Sequence, residues 1–230
     1  MSAPALDIRS FTVGPVQENS YIVRASPDAT RALLIDPGDE PERLQQAIDA
    51  LGVQIDAILI THCHFDHIGA VAPLARATGA PVYCPVIERP VLADVMSWVP
   101  PGFGPFESHE AEHTLAGGEH LTIADLDIEV IFTPGHSPGH LTYALPGALL
   151  SGDVLFQGSV GRVDLPGGDW ATLERSIESL VRTQPPDAVI YPGHMGVTTL
   201  ARELASNPFL AELRQRVPAS PAAHSPAPAS

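Results

Sequence analysis

The stretch THCHFDHIG, residues 61–69, places three histidines and an aspartate within six positions, His62 to His67. It follows directly on DAILIT (56–61), an apolar run without polar alternation, the pattern of a strand buried on both faces. It runs into HIGAVAPLARATG (67–79), which reads as a helix with Pro73 near its start or at a kink. So dense a group of Lewis bases at a strand exit is either a polar surface loop or half of a metal site. The rest of the chain decides between them.

Three further strand exits carry the same kind of residue. LDIEVIFTP (126–134) leads to His136 in GHSPGH, GALLSGDVLF (147–156) carries Asp153, and DAVIYPGH (187–194) ends on His194. Strand ends at one sheet edge are where α/β proteins collect reactive groups. Four exits therefore deliver His62, His64, Asp66, His67, His136, Asp153 and His194. In extended backbone His62 and His64 project to one side and Cys63 points away. Asp66 and His67 begin the next helix and can face the other way, so one short segment can serve two metal ions. Nitrogen and oxygen donors without a thiolate suit zinc, and also iron or manganese. A carboxylate at Asp153, between the two halves, can bridge a metal pair.

The remaining chain alternates short strands and helices. SYIVRA (20–25), RALLIDPGD (31–39), APVYCP (80–85) and HLTYAL (140–145) read as strands. PERLQQAIDALG (41–52), DWATLERSIESLVR (169–182) and TTLARELASN (198–207) read as helices, with Asp169 as an N-cap. VIERPVLADVMSW (86–98) is expected to be helical. The Gly- and Pro-rich residues after it, up to 119, are expected to form a long loop, of the kind that serves as a lid or binding loop. His109, His113 and His120 lie in or beside that loop and read as solvated surface. Such mixed elements predict α/β layers. The expected organisation is one domain over 1–217 and a disordered Pro/Ala/Ser tail over 218–230, which cannot bury a core.

Composition narrows the chemistry. All 12 basic residues among the 230 are arginine, and the net charge is −15. Lysine-amine catalysis is excluded, and a nucleic-acid backbone would be repelled by the mean field. Two cysteines, Cys63 and Cys84, are too few for a disulfide framework. No apolar run approaches the roughly 18 residues of a membrane span, and MSAPALDIRS does not read as a secretory signal. The expected location is the cytoplasm, with no membrane partner.

THCHFDH resembles the HxHxDH signature of the metallo-β-lactamase-fold superfamily, and PGHSPGH, SGDVLF and PGH match that family's further metal motifs in order. FTVGPVQENSYIV, LLIDPGD, GSVGRVDLPGGD and TTL…NPFL resemble its short bacterial glyoxalase II-like branch, the hydroxyacylglutathione hydrolase-like proteins, over roughly residues 8–210. The resemblance implies an α/β fold, the αβ/βα four-layer sandwich, with its site at one edge of the paired sheets. It implies two divalent metal ions per chain, zinc first and iron or manganese as alternatives. The first would take His62, His64, His136 and Asp153. The second would take Asp66, His67, His194 and the same Asp153, with a water or hydroxide between. Metals about 3.5–4 Å apart bring such a water's pKa to about 7. The implied reaction is hydrolysis of a small-molecule acyl-thiol, such as an S-2-hydroxyacylglutathione, to an acid and a thiol. Asp66 would also orient the nucleophile, and Arg162 would meet the carboxylates of the thiol. His140 resembles a structural second histidine. The alternatives within the superfamily are a persulfide dioxygenase with one iron on His62, His136 and Asp153, and a lactonase. Oligomeric state has no signature here.

Overall fold

The computed structural model describes residues 6–217; the segment 218–230, expected to be disordered, lies outside the described residues. The first half of the chain builds one six-stranded sheet from β1 (Asp7–Val13), β2 (Glu18–Arg24), β3 (Arg31–Ile35), β4 (Gln54–Leu59), β5 (Val82–Pro85) and β6 (His113–Leu115), in that order. β1, β2 and β3 pair antiparallel, and β3 to β6 run parallel. The second half builds another, from β7 (His120–Ile123), β8 (Leu126–Phe132), β9 (Leu141–Leu145), β10 (Ala148–Gly152), β13 (Val189–Pro192) and β14 (Thr198–Thr199). Its order is β14-β13-β10-β9-β8-β7. β11 (Leu155–Phe156) and β12 (Ser159–Val160) form a small hairpin beside it. The helices are α1 (Pro41–Leu51), α2 (Phe65–Ile68), α3 (Val71–Thr78), α4 (Arg89–Ala93), α5 (Trp170–Thr183), α6 (Leu200–Ser206) and α7 (Ala211–Arg216).

Period-2 alternation within nearly all-apolar strands decides the layering. Leu33 and Ile35 of β3 and Ala57 and Leu59 of β4 point into a core shared with Leu126, Ile128, Val130, Tyr143 and Leu150 of the other sheet. Their neighbours Leu34 and Ile58 face the opposite way, onto Leu44 and Ile48 of α1 and Val71 and Leu74 of α3. Leu149 and Ile190 likewise face out onto Leu173, Ile177 and Leu180 of α5. Helix, sheet, sheet and helix stack in four layers, the αβ/βα sandwich. β3, β4 and β5 share one direction, as do β8, β10 and β13. Backbone bonds from Leu141 to Thr61 (2.8 Å) and from Asn19 to Gly193 (2.7 Å) bring their exits to a common edge.

Local structure departs from expectation at four places. The helix expected over 67–79 is two, α2 and α3, broken at Gly69 and Ala70. An unbroken helix would drive the Pro73 ring into the carbonyl of Gly69. The break puts Pro73 in a new first turn, and the Ala70 amide bonds Pro37 instead (3.0 Å). The helix expected over 86–98 is only α4 and a 3₁₀ turn, Val95–Ser97. The loop expected up to 119 already contains β6, where Tyr83 and His113 stack at 4.4 Å, and His120 opens β7. β7 and β8 join through Ala124 and Asp125, both at positive φ (52° and 60°). A hairpin turn of this type usually announces itself by Asn-Gly or Asp-Gly, so this one is invisible by composition. The helix expected over 198–207 starts two residues later, because Thr198 and Thr199 pair with β13.

Candidate metal centre

β4 ends into the segment 61–67, β8 into His136, β10 into Asp153 and β13 into His194. The structure brings all seven of these sequence-derived donors to one edge of the sandwich. His62 Nε2, His64 Nδ1 and His136 Nε2 form a triangle with sides of 3.1, 2.8 and 3.2 Å. The tautomers of two of them are fixed from behind. His136 Nδ1 donates to the Arg162 carbonyl (2.7 Å). The Thr61 hydroxyl gives its proton to Asp36 Oδ2 (2.6 Å) and so accepts from His62 Nδ1 (3.1 Å). Both Nε2 lone pairs therefore point at each other, an arrangement that a cation between them stabilises.

The second group lies beside it. His194 Nε2 is 3.2 Å from Asp66 Oδ2, and His67 Nε2 is 3.9 Å from the same oxygen. Asp153 stands between the groups: Oδ1 is 3.4 Å from His67 Nε2, and Oδ2 is 3.4 Å from His136 Nε2 and 3.6 Å from His194 Nε2. His67 Nε2 and Asp153 Oδ1 are buried and have no hydrogen-bond partner. Orphaned polar atoms of this kind cost about 1–3 kcal/mol each; with His67 Nδ1 donating to Asp36, both are acceptors facing one space, which fits bound cations. The donor set, imidazole and carboxylate with the Cys63 thiol turned away toward Cys84, fits divalent metals of the zinc, iron and manganese type.

Electrostatics prepare the same ligand forms. Burial, aided by the neighbouring imidazoles, pushes His62 well below its usual pKa, and burial takes His64 down to about 4. Both are neutral near pH 7, the form a metal needs. Burial opposes ionisation of Asp153, but His67 and the adjacent histidines outweigh it and hold the carboxyl well below the usual range. Burial likewise opposes a charge on His67, and Asp153 and Asp66 overcome it, raising its pKa. A proton on His67 thus occupies the electrostatic place that a cation would take, and the two compete.

Several contributors escape a reading by spacing. Asp36, at the exit of β3, accepts from the Thr61 amide (2.7 Å) and hydroxyl and from His67 Nδ1 (3.0 Å), so one buried carboxylate orients ligands of both groups. Its only sequence signal is its place after LLI. Asn19 Nδ2 donates to the carbonyls of Pro192 (3.1 Å) and Met195 (2.9 Å), bracing the His194 turn. His140 is not turned toward the donor cluster; its Nε2 accepts the Asp153 amide (3.0 Å), and its Nδ1 meets Thr133 Oγ1 (3.0 Å). It holds the backbone of Asp153, as a structural second histidine should. Close approach explains Gly38, where a Cβ would lie 1.7 Å from the Asp66 carbonyl.

The Arg162 guanidinium lies in solvent, paired with Asp164 at 2.6 and 2.7 Å. Of the aromatic residues in the proposed lid, Phe103 and Phe106 pack on Phe65, with ring centres 4.6 and 6.3 Å away, and Trp98 is exposed. His109 sits 3.4 Å from Glu112, away from the donor cluster.

A sandwich with this edge defines a class. A family model described as metallo-beta-lactamase superfamily matches residues 13–194, and the chain belongs to that superfamily. It is a metallo-hydrolase of that group. Among its relatives, the probable metallo-hydrolase YqgX of Bacillus subtilis (strain 168) is 40% identical over 88% of this chain and 96% of its own. The hydroxyacylglutathione hydrolase GloC of Haemophilus influenzae is 33% identical over 89% of this chain and 98% of its own. Among solved structures, BLEG-1 B3 metallo-beta-lactamase superposes with a TM-score of 0.84 at 37% identity, over 89% of this chain and 100% of that one. TTHA1623 in a di-iron-bound form superposes at 0.72 and 40% identity, over 88% and 100%. No helix among the described residues is long and apolar enough to cross a membrane.

Proposed function

We propose that the chain hydrolyses acyl thioesters in the manner of glyoxalase II, converting an S-2-hydroxyacylglutathione or a related acyl-thiol to a 2-hydroxy acid and a thiol. The observation that carries this reading is the place of Asp153, within 3.4–3.6 Å of nitrogens from both histidine groups. His62, His64, His136 and Asp153 would hold one divalent cation, and Asp66, His67, His194 and Asp153 a second, zinc first and iron or manganese as alternatives. Bound there, a metal pair supplies hydroxide at neutral pH and polarises the acyl carbonyl. Asp66, largely buried and aimed at His194, would orient that nucleophile. Asp36 and Thr61 keep the imidazoles in their donor tautomers through the cycle. The similarity to the hydroxyacylglutathione hydrolase GloC supports the thioester.

The test is thiol release from S-lactoylglutathione by the purified, zinc- or iron-loaded protein. Metal-dependent release is expected. Its absence, with hydrolysis of a lactone or a β-lactam or with oxygen uptake on glutathione persulfide, assigns the site to another reaction. Arg162 is the proposed contact for the thiol's carboxylates, once its exposed pair with Asp164 opens. Arg162→Ala is expected to raise KM for the glutathione thioester about 5-fold, the upper end for an exposed ion pair, with kcat unchanged. An unaltered KM ends that role.

A further inference from the structure

One buried carboxylate stands outside the donor set. Glu88 lies just past β5, where it opens α4, and it is 4% exposed. Its Oε2 accepts the amide of Cys63 (2.5 Å), the residue between His62 and His64. Its Oε1 accepts the amide of Gly139 (2.8 Å) and the hydroxyl of Ser137, the residue after His136. Three donors from two separate loops therefore meet on one side chain. The approach is close enough that a Cβ on Gly139 would lie 2.7 Å from Glu88 Cγ and 3.0 Å from Ile87 Cβ. This gives the SPG of GHSPGH a reason: a hydroxyl and a bare amide, both turned onto Glu88.

We propose that Glu88 is a positioning residue for one half of the centre, setting the spacing of His136 from His62 and His64. The proposal rests on the two-cation reading above. The three nitrogens of that half come from two loops, 62–64 and 136, and the carboxylate joins those loops one residue away from each ligand. None of the Glu88 carboxylate's hydrogen bonds goes to the segments around Asp66, His67 or His194, which Asp36 and Asn19 brace instead. A carboxylate is required because both of its oxygens accept. Glutamine keeps the size but must turn its NH₂ toward the Cys63 amide or toward Ser137 and Gly139, opposing donor to donor. Loosening the triangle weakens its grip on a cation, as loss of a hydrogen bond behind metal ligands generally does.

The experiment is a zinc titration of the metal-free protein against a chromophoric chelator, with thermal unfolding of the metal-free form beside it. Wild type is expected to show two zinc constants. Glu88→Gln is expected to weaken one of them about 10-fold, the lower end for residues behind metal ligands, and to leave the other unchanged. A purely structural role would lower the unfolding temperature and leave both constants alone; that result, or equal weakening of both, overturns the proposal. If Glu88→Gln does not fold, Ser137→Ala removes one donor only and is expected to give a smaller loss in the same constant. An unchanged constant there also overturns it. Failure of the wild type to bind two zinc ions defeats the two-cation reading first, before any variant is compared, and the proposal falls with it.

Discussion

Asp153→Ala is expected to lower kcat/KM for an acyl thioester by at least about 10²–10³-fold, the scale on which losing one transition-state contact acts. The reason is the double engagement of its carboxylate. Oδ1 faces His67 and Oδ2 faces both His136 and His194, so its removal opens both halves of the centre at once. Asp153→Asn keeps the shape and removes the charge, and the same direction is expected because a neutral amide neither bridges cations nor balances them. The metal-free protein should also lose stability at pH values where His67 is protonated, because that charge loses its first partner. Steady-state kinetics with metal analysis of each variant checks this. Near-normal turnover by Asp153→Ala would remove the bridge from the account.

Gly193→Ala is the second large effect, and it tests space rather than charge. A Cβ there would stand 2.2 Å from Asp153 Oδ1 and 2.6 Å from His67 Cε1. Neither neighbour can retreat: His67 is fully buried and bonded to Asp36, and the Asp153 amide is held by His140. Overpacking of this kind costs about 1–3 kcal/mol. Its activity cost should be larger, because the displaced groups are the donors themselves, so thioester turnover should fall by about 10²-fold or more. Gly158→Ala serves as the comparison. It adds a Cβ in open space at positive φ (71°), so it strains the backbone without touching the donors. It should lower the unfolding temperature and leave turnover intact. Equal activity of the two variants would show that the cradle around Asp153 is slack.

The donors themselves were legible because each follows a run of apolar residues and four such runs carry them in order. The α/β layering was legible for the same reason, from strands buried on both faces such as Ala57 to Leu59; the αβ/βα sandwich itself was implied by the family resemblance. What escaped has physical causes. Asp36, Asn19 and Glu88 act through hydrogen bonds to residues far along the chain, and a lone acid or amide has no spacing to betray it. β1 is a half-exposed edge strand, and β6 is only three residues long. The Ala124–Asp125 turn adopts positive φ without glycine, so composition hides β7. The break before α3 is set by a tertiary bond from Ala70 to Pro37 as much as by Pro73 itself.

Elemental analysis of the metal-loaded protein, in metal atoms per polypeptide, tests the central claim most directly. Six donor residues disposed around Asp153, itself the seventh, predict two divalent ions per chain, falling to one or none in Asp153→Ala. A single ion, or none, in the loaded wild type would contradict it.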